Sequence, residues 1–396
     1  MKKQCIIVLY DKIDVLEFNQ NKNNYKNVFL FSPGLEVFLK KKEELNIFKP
    51  DIKSNQTIHK NVISASEKIY REYKKNVHHL EKLDEGINEN IHNIFFVSVF
   101  SYMHLIENLK KYDNCGLFYK NQWQEFQNFE KFISSFIEKI SLKENQGFFN
   151  YLKPNKLSII TKLLIKLNNS ICYFNKRTNN IFISGSILSE KIYNKTKQKI
   201  SIFQLKPFYD FKIYHIILNL FFHLNFFKKK KIFCFFPIEN NFPKNDLIKK
   251  NLKAFFDNLR DENLSLFKEI IFNSLLKYCE NQTKIQNDIM HILNYAKPKH
   301  VFVDQLRFGV STVLGSICLS KKIDVILVPH GSISVPSDEF SNFVLSICGR
   351  GLIYSKLANY SVAQSKISFE AIKYYDVNLK ILKSKPLLFG KNIKKK

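Results

Sequence analysis

Residues 300–331 read HVFVDQLRFGVSTVLGSICLSKKIDVILVPHG, and their pattern implies a parallel α/β sheet. Val301-Phe302-Val303 is a short, wholly apolar run, as expected of a strand buried on both faces. Asp304 stands at its carboxyl end. From Gly309 onward, Val310, Val313, Leu314, Ile317 and Cys318 recur at the spacing of one helical face. Gly315 and Ser316 are small enough for close packing. Val325–Val328 is a second apolar run, left by Pro329-His330-Gly331-Ser332. Strand, helix and strand in this order form a βαβ unit. Ligands of open parallel sheets bind outside the carboxyl ends of the strands. If the two strands are neighbours, Asp304 and His330 face one crevice. Gly331 would let the backbone turn sharply towards a ligand, and Ser332 would hydrogen-bond a hydroxyl or phosphate.

The same alternation continues on both sides. Strands are predicted over 231–237, 361–364 and 379–384, and helices over 338–348 and 366–375, with 244–296 mainly helical. Nearer the start, 5–10 and 27–31 read as buried strands, and Ser32-Pro33-Gly34 opens a helix through Lys42. Residues 60–142 carry a helical pattern, and 171–184 resemble a hairpin over a polar loop. The expected fold is α/β, a doubly wound, Rossmann-like parallel sheet with a mainly helical insertion. Its expected parts are 1–59 (first strands of the α/β domain), 60–230 (mainly helical insertion or subdomain), 231–390 (Rossmann-like region) and 391–396 (basic tail).

Composition limits the function classes. The 396 residues hold 62 Lys+Arg against 35 Asp+Glu, a net charge of +27, and are 45% hydrophobic, so a core can form and wholesale disorder is excluded. An acidic partner is the first inference from such charge. Only five cations are arginine: Arg71, Arg177, Arg260, Arg307 and Arg350. Base-reading proteins favour the arginine fork, so specific nucleic-acid binding is not expected. The abundance of Lys, Asn, Ile and Phe points to compositional bias as a main source of the basicity. The seven cysteines are scattered and form no C-x-x-C pair, as expected of free thiols in a reducing cytoplasm. No apolar run is long enough to span a membrane. Residues 208–231 contain a 15-residue uncharged stretch, 213–227, ending at Lys228–Lys231. Two readings stand for it: a core helix capped by lysines, or an interfacial helix on an anionic membrane surface.

Each candidate residue has a bland reading beside the functional one. Asp304 either caps the following helix or lines the crevice. His330 is either a structural hydrogen-bonder or a catalytic base placed by a strand end. Glu339 either complements a helix dipole or contributes to the site, and Ser365 reads first as an N-cap. Arg307 and Arg350 stand out in a lysine-dominated chain. His78-His79 reads as a solvated helix face without a second ligand pair, so no metal site is expected. Phosphate-loop, dinucleotide-loop and nucleophile-elbow motifs are absent.

The span 296–390, containing STVLGSICLSKKIDVILVPHGSISVPSDEF and SVAQSKISFEAIKYYDVNLKILKSKPLLFG, resembles the end of the N-terminal domain of GT-B glycosyltransferases. It is most similar to those of bacterial capsule and surface-polysaccharide synthesis. The matching positions are Asp304, His330 with Gly331, Glu339 and Ser365; the glycine usual before the final turn is missing at Pro386. The resemblance implies metal-independent transfer of sugar from a nucleotide-sugar substrate, with no further cofactor, to a glycan or lipid-linked glycan acceptor. It casts His330, Asp304 and Glu339 as catalytic and Gly331 and Ser365 as substrate-binding; the strand-end reading adds Ser332, Arg307 and Gly309 as substrate-binding candidates. The free thiols imply a cytoplasmic protein, and the interfacial reading of 208–231 makes it peripheral on the inner face of the cell membrane. Twelve residues follow the last expected strand, so a separate donor-binding polypeptide or a truncated chain is expected. From a different class, the charge alone supports a non-catalytic basic protein that binds an anionic membrane or polyanion.

Overall fold

The computed structural model describes residues 5–9, 27–30, 56–109, 114–119, 122–126, 130–135, 159–173, 180–183, 201–205, 232–235, 246–265, 267–329, 333–376 and 378–385. Eleven strands are found among them: β1 (Cys5–Leu9), β2 (Asn27–Leu30), β3 (Asn114–Tyr119), β4 (Gln122–Phe126), β5 (Asn180–Ile183), β6 (Ser201–Leu205), β7 (Ile232–Phe235), β8 (His300–Val303), β9 (Asp324–Leu327), β10 (Tyr360–Ala363) and β11 (Lys380–Lys383). The helices are α1 (Gln56–Asn76), α2 (Glu85–Leu109), α3 (Ile159–Tyr173), α4 (Asp246–Asn258), α5 (Glu262–Ser265), α6 (Lys268–Ala296), α7 (Val310–Ser320), α8 (Glu339–Gly349) and α9 (Lys366–Tyr375). The chain divides into two compact units. The first comprises Met1–Leu80, Phe95–Asn150 and Lys249–Lys277; the second comprises Glu81–Ile94, Tyr151–Ile248 and Tyr278–Lys396.

The first unit holds a four-stranded sheet in the order β2-β1-β3-β4, with β1 parallel to both neighbours and β3–β4 antiparallel. Its core is aromatic. Val62, Ser66, Ile69 and Tyr73 recur at helical spacing on α1 and are all buried. The Tyr73 ring meets those of Phe95, Phe96 and Phe255 at centroid distances of 5.5, 5.5 and 5.3 Å.

The second unit is built on a seven-stranded, all-parallel sheet in the order β11-β10-β9-β8-β5-β6-β7. Numbered by appearance within the sheet, this is 7-6-5-4-1-2-3. Strands are first added on one side of β5, and then from β8 onward on the other. It extends by one strand the 3-2-1-4-5-6 order of doubly wound nucleotide-binding sheets. The fold is therefore mixed α/β and compatible with a Rossmann-like sheet. Val301, Val303, Val325, Leu327 and Ala363 pack with Val313, Leu314, Ile317 and Cys318 of α7 in one buried cluster. Gly315 permits close packing as expected: a Cβ there would lie 3.0 Å from Leu306 Cδ2 and 3.1 Å from Leu357 Cβ. β11, reading KILK, has three exposed residues and ends one side of the sheet, where lysines discourage further strand pairing.

Several expectations need correction. Strands β1 and β2 do not belong to the large sheet; in the first unit β1 pairs with β2 on one side and β3 on the other. Residues 60–230 are not simply a helical insertion, since they contribute β3, β4, β5 and β6. The parallel sheet thus draws on strands well before residue 231. The expected hairpin over 171–184 is absent. Residues 171–173 end α3, whereas β5 pairs in parallel with β6 and β8. Local pattern cannot separate these cases, because short apolar runs suit helix ends and buried parallel strands equally. The helix expected from Ser32 and the segment 208–231 lie outside the described residues. Among the described residues, no helix is long and apolar enough to cross a membrane.

Candidate functional site

The order of the large sheet reverses between β5 and β8, so the carboxyl end of β8 lies beside the topological switch point. β9 is the next strand out, parallel and in register with β8 through Val303↔Leu327. The Val328 N–H donates to the Val303 carbonyl at 2.7 Å, extending the pairing beyond β9 itself. At the end of β10, the Gln364 amide donates from Nε2 to the Pro329 carbonyl. Three adjacent strands are thereby tied together at their carboxyl ends. Asp304, half-buried, follows β8 directly. His330, Gly331 and Ser332 lie outside the described residues.

The loop from Asp304 to Gly309 is held on two sides. Leu306, fully buried, donates its N–H to the Gly351 carbonyl at 2.7 Å. Gly351 has φ +76°, and a Cβ there would lie 2.6 Å from the Leu306 carbonyl oxygen, so only glycine fits. On the other side Gly309, at φ +70°, donates its N–H to Asn90 Oδ1 at 3.0 Å. Gly309, not Asp304, is the N-cap of α7. The capping role considered for Asp304 is thus taken by another residue.

Asn90 comes from the start of α2, which is anchored to α7. Asp84 caps α2 by accepting the N–H groups of Gly86 and Ile87 on Oδ1, at 2.8 and 3.2 Å. Its other oxygen accepts from Ser316 Oγ at 2.7 Å. The absent side chain of Gly86 allows the helices to touch, since a Cβ would lie 2.5 Å from the Thr312 carbonyl oxygen. One turn further along, Glu89 is only 1% exposed. Arg350 forks onto it, Nε donating at 2.8 Å and Nη2 at 2.5 Å, and Lys356 Nζ stands 3.7 Å away. A carboxylate this deeply buried must be compensated in place, and a bidentate arginine does so best. The pair links residues 261 positions apart and joins the start of α2 to the turn that holds Leu306.

The remaining expected site residues fall elsewhere. Glu339 is exposed in the first turn of α8, beside the N-cap Asp338, where it complements the helix dipole. Ser365 is the N-cap of α9 in a reciprocal capping box with Ser368, so its hydroxyl serves the fold. Arg307 lies on the β8 loop, its guanidinium 5.2 Å from the Phe308 ring centroid. His78 and His79 pack ring to ring at 4.0 Å, and Asn258 Nδ2 lies 3.4 Å from His79 Nε2. Among the described residues, no three His, Cys, Asp or Glu side chains gather as metal ligands.

Sequence reading missed Glu89, Asn90 and the partner of Arg350. A signal was present in the run Asn88-Glu89-Asn90, followed by His92-Asn93, within an otherwise apolar helix. These five residues are at most 7% exposed. A cavity of about 310 Å³ lies at the other end of the strands, where Asp324, Tyr360 and Lys380 begin β9, β10 and β11. Compared with family models, curated proteins and solved structures, the chain matches none.

Proposed function

We propose that the second unit is the acceptor-side half of a GT-B-like glycosyltransferase of surface or capsular polysaccharide synthesis. One observation carries this reading: the carboxyl ends of β8 and β9 are adjacent beside the switch point, and the chain places Asp304 directly after the first and His330 shortly after the second. That sheet end is where open α/β folds bind ligands. The resemblance of residues 296–390 to capsule transferases supplies the reaction class. His330 takes the proton from the acceptor hydroxyl as its oxygen attacks the anomeric carbon. The bond from that carbon to the diphosphate breaks, and the nucleoside diphosphate leaves with the electron pair. Asp304 orients the base or an acceptor hydroxyl.

The test is turnover. Release of nucleoside diphosphate from a panel of nucleotide-sugars is followed with an extract of the producing cells, deleted for this chain, as the source of both the lipid-linked glycan acceptor and the donor-binding half. His330→Ala should lower turnover by roughly 10²–10⁴-fold while the thermal transition is retained. Unchanged turnover in that variant, or loss of its cooperative melt, would overturn the catalytic assignment.

A further inference from the structure

Helix α7 starts at Gly309 with no side chain capping its first turn. Such a start carries partial positive charge and unpaired N–H donors, and helix starts of this kind hold phosphate in many folds. At this one, other features converge. Asn90 is wholly buried, and its Oδ1 accepts the Gly309 N–H at 3.0 Å, which fixes the carboxamide against the helix start. The same carboxamide's Nδ2 has no hydrogen-bond partner among the described residues. A buried amide donor without an acceptor is costly, and a ligand acceptor would relieve that cost.

Arg307 precedes Gly309 by two residues. Its Nε is buried and has no hydrogen-bond partner among the described residues, and its guanidinium lies beside the ring of Phe308. The nearby carboxylate of Glu89 is already engaged by Arg350 and Lys356, so it does not cancel this charge. There is also room. A Cβ at Gly309 would meet within 4 Å only the hydroxyl of Tyr278, at 3.5 Å. An amide N–H₂, a guanidinium and a helix start are donors only, and the Tyr278 hydroxyl can donate as well as accept. Together they select a ligand that is acceptor-only and negatively charged.

We propose that Asn90, Arg307, Tyr278 and the start of α7 form a phosphate-binding site that takes the diphosphate of a substrate. This deepens the transferase reading and rests on it for the role of the bound group: the diphosphate belongs either to a lipid-linked acceptor or to the nucleotide. Calorimetric titration of the full chain with inorganic pyrophosphate tests it. Saturable binding is expected, weakening as salt is raised. Arg307→Gln should weaken it roughly tenfold or more, the loss of one charge-assisted contact, with the melting temperature unchanged. Asn90→Asp keeps the acceptor for Gly309 but replaces the donor by a charge that repels the anion, and should abolish binding. If burial of that charge unfolds the protein, Arg307→Gln decides alone. Lys322→Gln, on the exposed turn after α7, should bind as the wild type does. A short prenyl diphosphate binding more tightly than uridine diphosphate marks the acceptor as the source; the reverse order marks the nucleotide. Absence of saturable binding at millimolar pyrophosphate, or wild-type affinity in Arg307→Gln, overturns the site. Either result leaves the transferase reading to stand or fall on His330→Ala.

Discussion

Helix α2 contains two contrasting halves. Its first half buries Asn88, Glu89, Asn90, His92 and Asn93; its second half buries Phe95, Phe96, Val99, Tyr102, Met103 and Ile106. The two halves belong to different units. In the aromatic half, Phe95 lies 5.5–5.9 Å from the rings of Tyr73, Phe96, Phe255 and Phe256. Those contacts are non-directional and are repaid by removal of surface from water. The polar half is held by directional contacts instead: Arg350 donates to Glu89, and the Gly309 N–H donates to Asn90 Oδ1. Apolar side chains of similar size would fill the same space with less dependence on geometry. The contrast separates a region held by packing from one held by directional polar contacts.

The largest expected effect comes from removing one side chain from each half. Phe95→Ala should cost about 3–5 kcal/mol by cavity formation, and Glu89→Ala about 3–5 kcal/mol by stranding a partly buried arginine. Urea unfolding should then separate them by rescue. Glu89→Met combined with Arg350→Met removes both charges at similar volume and should recover most of the loss. A double variant as unstable as Glu89→Ala would show that Lys356 and the surrounding amides depend on the carboxylate too, and the two halves would differ less than argued.

A smaller effect, whose sign is informative, is expected where α2 meets α7. In an isolated helix, alanine is better than glycine by about 1 kcal/mol, so Gly86→Ala would stabilise the protein if propensity ruled. The new Cβ would instead lie 2.5 Å from the Thr312 carbonyl oxygen, a backbone atom with little freedom to move. Overpacking of this kind costs about 1–3 kcal/mol. Net destabilisation is expected, with loss of pyrophosphate affinity as Asn90 is pushed from Gly309. A raised melting temperature would mean that the helices separate easily and that the polar half is loosely held.

Much of the second unit was legible from sequence. The strands and helices from β8 to β11 follow the predicted order because each apolar run is short, bounded, and separated by helical periodicity. The adjacency of β8 and β9, the condition for Asp304 and His330 to share a crevice, is met for the two strands. The assignment of β5 and β6 failed for a physical reason. Asn180–Ile183 and Ser201–Leu205 are four and five residues long in a chain where Ile and Phe occur throughout, so a buried strand has no distinctive local pattern. The Glu89–Arg350 pair was invisible because its members are 261 residues apart and nothing local reports their meeting. Asn90 could have been suspected from polar residues where a helix should be apolar, but its partner could not.

The smallest effect uses pH to turn an apolar position into one of the demanding kind. Cys318 is fully buried on α7 among Val313, Leu314 and Ile317, where a neutral thiol behaves as a small hydrophobe. Burial pushes its thiol from the ordinary 9.0 up to about 12, with Lys321 opposing slightly. Below pH 9 the thiol is protonated in folded and unfolded chains alike, and contributes nothing to any pH dependence. Above it the unfolded chain releases the proton while the folded one retains it. The folded state then binds more protons, and stability falls as pH rises, by up to about 1.4 kcal/mol per pH unit through this window. Cys279 is also raised by burial, with Glu280 adding to the effect, and acts in the same direction. Cys318→Ala should start less stable near pH 8, because a small cavity is left, yet lose less between pH 8 and 10. The gap from the wild type should therefore narrow by about 1 kcal/mol over that interval, read from urea midpoints. Parallel pH profiles for the two proteins would show that water already reaches the thiol, and that the core around α7 is not closed against it.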